Sequence, residues 1–226
     1  MRFFFTLLLA AACASSSAWA APYGNYDARR ILSVSDTPTG KRHGIDLQYL
    51  DSMLADIASH ARNYPPVFDS DADRQRATRD IATLAGMLGL LTQDAGAHPE
   101  ILLRAATVNS YGHNLHINGA AEKANALFQR LLAAAPDHPR SNHAYGVFLA
   151  GVARSAESLP YLEKALAAGI ADAGYALGLV HLGLGDQARA LQYLESYKAR
   201  APADPQVAAL IEAIRSGKVT VRRESK

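Results

Sequence analysis

The amino-acid sequence predicts an all-α chain of stacked helical hairpins, preceded by an amino-terminal helical pair and closed by a carboxy-terminal capping helix. Two registers of repetition carry that reading. Gly112, Gly146 and Gly178 recur at spacings of 34 and 32 residues, and Phe128, Leu162 and Leu194 recur at the same two spacings. A period of this length marks supersecondary units that bury their apolar faces only against one another. Composition agrees, because alanine is abundant and runs of β-branched residues are few, which favours helix along the chain.

Each of the three glycines lies inside an apolar helical run, where glycine costs about 1 kcal/mol relative to alanine. Close approach of a second helix is the usual compensation, and Ala124 and Ala190 supply small surfaces on the returning helices. Asn118-Gly119 and Gly183-Leu184-Gly185-Asp186 are turn chemistry between paired helices. Pro136-Asp137-His138-Pro139 and Pro202-Ala203-Asp204-Pro205 stop one hairpin and start the next.

The first unit contains Val108, Tyr111-Gly112, Leu115, Ala124, Phe128 and Pro136. This order resembles the tetratricopeptide repeat, whose pattern is Trp-x2-Leu-Gly-x2-Tyr, then Ala-x3-Phe, then Pro. The second unit keeps Tyr145-Gly146, Leu149 and Leu162, with Asn142 where an aromatic is expected and Ser158 where alanine is expected. The third keeps Leu177-Gly178, Ala190, Leu194 and Pro202, with Gly174 and His181 in place of large residues. Its lead-in from Ala168 to Gly178 is also similar to the related Sel1-type repeat. The resemblance covers residues 105–202 and implies a right-handed α-solenoid with three repeats over 98–203.

Upstream, Met1-Arg2 opens onto an apolar run from Phe3 to Ala14, and Ala18-Trp19-Ala20 forms an A-x-A cleavage site. That layout predicts a signal peptide over 1–20, cleavage after Ala20 and a periplasmic or secreted chain. The run is shorter than the roughly 20 apolar residues that span a bilayer, so no membrane span is expected. Cys13 is the single cysteine, so no disulfide is available. Leu9-Ala10-Ala11-Ala12-Cys13 is similar to a bacterial lipoprotein box, and the alternative reading is a lipid anchor at Cys13 in an outer-membrane lipoprotein.

Residues 21–44, with Pro22, Gly24, Pro38 and Gly40 and no sustained period, read as a surface segment or linker. The helical pair follows over 45–97. Leu47, Leu50, Met53, Leu54, Ile57, Ala58 and Ala61 mark the apolar face of its first helix, with Asp46 as cap. Ala77, Ile81, Leu84, Leu88 and Leu91 mark that of the second, whose Arg74, Arg76, Arg79 and Asp80 read as a solvated face. The pair is expected to pack directly on the array, because Gly96-Ala97-His98-Pro99 is too short a turn to separate domains. At the other end Val207, Leu210, Ile211 and Ile214 predict the capping helix within 204–217, and 218–226 reads as a flexible tail.

The chain carries 23 Lys and Arg against 21 Asp and Glu, a net charge of +2, and only Arg2 of these lies in the leader. A near-neutral chain has no basic stripe for nucleic acid. No phosphate loop, nucleophile elbow or pair of carboxylates at suggestive spacing is present, and no cofactor is implied. At about 100° per residue, Asn109, His113 and His116 share one helical stripe beside the packing stripe. In arrays of the resembling family that stripe lines a concave groove. The positions matching Asn109 and His113 are His143 and Val147 in the second repeat, then Tyr175 and Leu179 in the third. Arg140, one turn before His143, is suited to a peptide carboxylate. The plain alternative is that these are solvated helical residues.

His113 and His116 with His143 also raise a metal site, because histidines three apart share a helix face. The intervening Asn114 and Leu115 offer no carboxylate of the His-Glu-x-x-His kind. Two functions follow. The favoured one is a non-enzymatic scaffold of the bacterial cell envelope, holding a protein or peptide segment along Asn109, His113, His116, Arg140, His143, Val147, Tyr175 and Leu179. The alternative is a small periplasmic metal-binding or hydrolytic protein using His113, His116 and His143.

Overall fold

The computed structural model describes residues 22–219. The leader over 1–20 with Cys13, and the end of the tail from Thr220, lie outside the described residues. Two compact units are present, one ending at Leu131 and one beginning at Leu132.

The first unit opens with a segment that is anchored rather than linking. Tyr23 is buried, its hydroxyl donates to Asp80 at 2.9 Å, and Arg76 donates to the Tyr23 carbonyl at 2.9 Å. The Gly24 N–H donates to Asp56 at 2.9 Å. A single 3-10 turn, Ala28–Ile31, capped by Asp27, then buries Ala28 and Ile31. An antiparallel hairpin follows, β1 (Leu32–Thr37) and β2 (Gly40–Ile45), in a register from Leu32 opposite Ile45 to Thr37 opposite Gly40. Of the surface segment or linker expected over 21–44, the linker reading is corrected, while Leu32 through Asp36 do lie at the surface. The segment lacks helical period because it is strand and turn, and Tyr23 and Ile31 tie it to the core.

Helices α1 (Leu47–Ala61) and α2 (Asp71–Leu91) begin at Asp46 and Ser70, whose side chains accept from the backbone N–H of Tyr49 and Asp73 in the first turn. Their inner faces bury Leu50, Met53, Ile57, Ile81, Leu84 and Leu88. Leu47 and Leu91, assigned to those faces by spacing, are exposed because each sits at a helix end. The charged half of α2 is not a purely solvated face: Asp73 is buried and paired with Arg76, and Asp80 and Arg76 hold Tyr23. Helix α3 (Pro99–Asn114) packs on both α1 and α2. Arg104 binds Asp51 through two bonds of 2.7 Å, and Asn114 donates to the Ala61 and Arg62 carbonyls at the end of α1. Helix α4 (Ala120–Ala134) returns, burying Ala124 and Phe128, and Arg130 donates to the Thr92 and Asp94 carbonyls past the end of α2.

The second unit repeats one device. Helices α5 (Pro139–Gly151) and α6 (Ser155–Ala167) form a hairpin, as do α7 (Asp172–Leu184) and α8 (Gln187–Arg200), and α6 packs on α7. A Cβ on Gly146 would lie 2.6 Å from Leu162 Cγ, and one on Gly178 would lie 2.6 Å from Leu194 Cγ. Each leucine occupies the space the glycine leaves, so the two registers of repetition are two sides of one contact. Gly112 differs: a Cβ there would lie 3.3 Å from Ile81 Cγ2 of α2 and 3.4 Å from Ala120 Cβ. Helix α9 (Pro205–Arg215) covers α8 with Val207, Leu210, Ile211 and Ile214, and Val219 of the expected tail packs against the same cluster.

Polar residues at repeat positions are accommodated by local bonds. Asn142 donates to the Pro136 and His138 carbonyls, so it secures the turn into α5. Ser158 is buried and donates to the Ser155 carbonyl at 2.7 Å. His181, 3% exposed, stacks on Tyr193 at 5.4 Å. Burial holds its imidazole below the usual pKa, against an opposing pull from the Asp186 carboxylate.

The glycine contacts predict an order of stabilities. Gly178→Ala and Gly146→Ala lower stability by about 1–3 kcal/mol through overpacking, despite better helix propensity. Gly86→Ala, where a Cβ meets nothing within 4 Å, raises it by roughly 0.5–1 kcal/mol. In a double-mutant cycle by chemical denaturation, Leu194→Ala loses most of its coupling once Gly178 is alanine. His181 gives a pH slope: its neutral ring is favoured in the fold, so its contribution is complete above the ordinary imidazole pKa and is lost as pH falls below about 6.5. Melts between about pH 7.5 and about pH 5.5 should show a smaller decline in His181→Phe than in wild type.

Candidate functional site

The expected groove residues divide between the two units. Asn109, His113 and His116 belong to the first. Arg140, His143, Val147, Tyr175 and Leu179 belong to the second.

Asn109 is 5% exposed, and its side-chain amide donates to the Ala105 carbonyl at 2.8 Å. It is an internal helix residue, and its assignment to the groove is corrected: α3 is packed on two sides by α1 and α2, which widens its buried arc. His116 does not continue the helical stripe either. Helix α3 ends at Asn114, and His116 takes the left-handed conformation (φ 62°) that lets the Ile117 N–H return to the Gly112 carbonyl at 2.8 Å. Its ring meets Tyr64 edge-on at 5.7 Å.

His113 and His116 nonetheless share a shallow recess of about 280 Å³ with Ile117, Asn118, Gly119, Ala121 and Glu122. Burial, reinforced by neighbouring His116, holds the His113 imidazole below its usual pKa, while Glu122 opposes the shift. Its neutral ring, with one donor and one acceptor nitrogen, is the form that burial favours. The recess is open and polar, with Glu122 as its acidic group and no lysine or arginine in its lining. Glu122 and Tyr64 were not singled out from the sequence; Glu122 has only its spacing across the Asn118-Gly119 turn as a signal.

The metal reading required His143 alongside His113 and His116. Among the described residues, no group of three or more His, Cys, Asp or Glu side chains is arranged to hold a metal ion.

In the second unit the five remaining residues lie on two neighbouring helices. Arg140 is exposed in the first turn of α5, just after Pro139, and His143 and Val147 are half-buried along the same helix. Val147 packs against the cluster of Leu162, Leu177 and Val180. Tyr175 and Leu179 of α7 pack against the cluster that includes Leu182, Leu194 and Val207. The Tyr175 and Tyr197 rings lie 5.4 Å apart, and burial raises both phenol pKa values. The surface passes from a cation and an imidazole to half-buried apolar and phenolic groups.

No protein-family model matches the chain, and no curated protein matches it. Solved structures do. The crystal structure of MamA is similar at 19% identity, with a TM-score of 0.52, covering 67% of this chain and 86% of that one. TTC0263, a thermophilic TPR protein in Thermus thermophilus, is similar at 14% identity, with a TM-score of 0.52, covering 74% of this chain and 91% of that one. The hairpin order, the glycine contacts and these likenesses agree: this chain has the tetratricopeptide-repeat fold.

Proposed function

We propose that the chain is a non-enzymatic protein-interaction scaffold, and that its second unit holds a peptide or protein segment across α5 and α7. One observation carries this reading. On adjacent helices, exposed Arg140 stands with His143, Val147, Tyr175 and Leu179, which are half-buried. Such a mix of aromatic, aliphatic and cationic groups is the composition of binding surfaces. Arg140 suits a carboxylate, and Tyr175 and Leu179 suit an apolar side chain of the same segment.

The chain is further read as an export substrate acting in the bacterial cell envelope, on the strength of the leader over residues 1–20. Amino-terminal sequencing of the exported protein is expected to begin at Ala21. A mature chain beginning at a lipidated Cys13 would replace that reading with the outer-membrane lipoprotein.

The groove is tested by capture from envelope extracts. An Arg140→Glu, Tyr175→Ala double variant is expected to lose at least about tenfold in retained partner, because truncating central aromatic and arginine anchors typically costs about 1–2 kcal/mol or more each. A His113→Ala, His116→Ala variant is expected to retain wild-type capture. Equal capture by all three proteins would remove the α5–α7 surface from consideration.

A further inference from the structure

Among the described residues the two strands of the hairpin pair only with each other, and Leu32 through Asp36 are all exposed. The parity of the ladder is fixed at both ends. A two-residue turn, Pro38-Thr39, closes on the hydrogen-bonded pair Thr37 and Gly40. At the open end the Asp46 N–H donates to the Ile31 carbonyl at 2.7 Å, so the next pair, Leu32 and Ile45, is not hydrogen-bonded. The C=O of Leu32 and the N–H and C=O groups of Val34 and Asp36 therefore point away from β2, along the outer edge of β1, while the Leu32 N–H returns to the Arg29 carbonyl of the 3-10 turn.

The two edges are unlike. β2 has the sequence Gly-Lys-Arg-His-Gly-Ile, in which two cations and two glycines blunt an edge against pairing. β1 has Leu-Ser-Val-Ser-Asp-Thr, with no proline, lysine, arginine or glycine. Its side chains Leu32 and Val34 are 52% and 57% exposed on one face. A lone two-stranded ribbon is marginal in water, and further strands with an apolar face stabilise it.

We infer that β1 pairs antiparallel with β1 of a second copy, joining two hairpins into one four-stranded sheet. The strand is self-complementary about Ser33. With Ser33 opposite Ser33, Leu32 of each copy lies opposite Val34 of the other, and the Val34 N–H of each copy donates to the Leu32 carbonyl of the other. Asp36 of one copy then comes beside the turn that holds Arg30 of the other, so opposite charges meet at the ends of the seam. Leu32, Val34 and Ile45 of both copies form one apolar strip across the sheet. A seam this short belongs with small, transient interfaces, so the dimer is concentration-dependent.

The test is analytical ultracentrifugation of the full chain with Cys13→Ser, across a wide concentration range, beside Val34→Pro. Proline at Val34 removes an outward donor and leaves the β2 ladder intact, because the Val34–His43 pair is not hydrogen-bonded. The expected result is a reversible dimer in the parent and its loss in Val34→Pro, with unchanged helical circular dichroism. Independently, Ser33→Cys is expected to form an intermolecular disulfide on mild oxidation, and Ser59→Cys on the exposed face of α1 is not. A parent that stays monomeric throughout, as it would if another protein's strand covers this edge, overturns the inference. So does a dimer that survives Val34→Pro, or equal cross-linking at both cysteines.

Discussion

The contact on which the second unit depends is a leucine of one helix lying on a glycine of its partner. A helix surface with no side chain at one position lets the returning helix approach until the leucine branch rests on backbone. At Gly178 the added atom would also stand 3.3 Å from the Ala190 carbonyl, so the backbone itself is close. Dispersion and exclusion of water at that distance offset the conformational cost of glycine inside a helix. Because the device involves two positions per hairpin, neighbouring positions are released from the motif. That release explains how Asn142, Ser158 and His181 stand where the repeat pattern has apolar residues. Each finds a backbone carbonyl or a ring to meet.

The first unit is held differently. Its glycine, Gly112, faces Ile81 of α2, so α3 is fitted to the helix before it as well as to the turn into α4. Polar anchors then join segments distant in sequence. Arg104 reaches Asp51, Asn114 closes the end of α1, and Arg130 closes the end of α2. Buried or half-buried charge of this kind is costly unless paired, and here each cation or amide meets carboxylates or carbonyls. The same logic fastens the opening segment, where Tyr23 enters the core and gives its hydroxyl to Asp80.

These differences decide how much was legible beforehand. Period-based reasoning found the helices, the cap at Asp46, and the glycine and leucine registers, because those features are local or strictly spaced. It missed the hairpin, although Leu32 and Val34 alternate with Ser33 and Ser35 ahead of Pro38-Thr39-Gly40, a strand-and-turn signature hidden by its brevity. It read the charged half of α2 as solvated because nothing local announces that Tyr23, far upstream in the chain, will claim Arg76 and Asp80. Asn109 was misplaced for a related reason. A 100° step gives the face of an isolated helix, but how wide a face is buried depends on how many helices pack on it, and α3 has α1 and α2 together.

The same reasoning separates the two surfaces that remain after packing is accounted for. Val147, Tyr175 and Leu179 derive their partial burial from the clusters beneath them, so the positions of these apolar and phenolic groups are set by the repeat. The β1 edge derives its availability from the opposite circumstance, a pair of strands to which no other described strand is added. Side-chain chemistry dominates the first and backbone hydrogen bonding dominates the second. Under the proposed function, selectivity for a particular segment belongs with α5 and α7. At β1, main-chain bonds that any extended segment could make contribute the attraction, and the order Leu-Ser-Val, which matches itself in apolar character when reversed about Ser33, supplies the choice of partner.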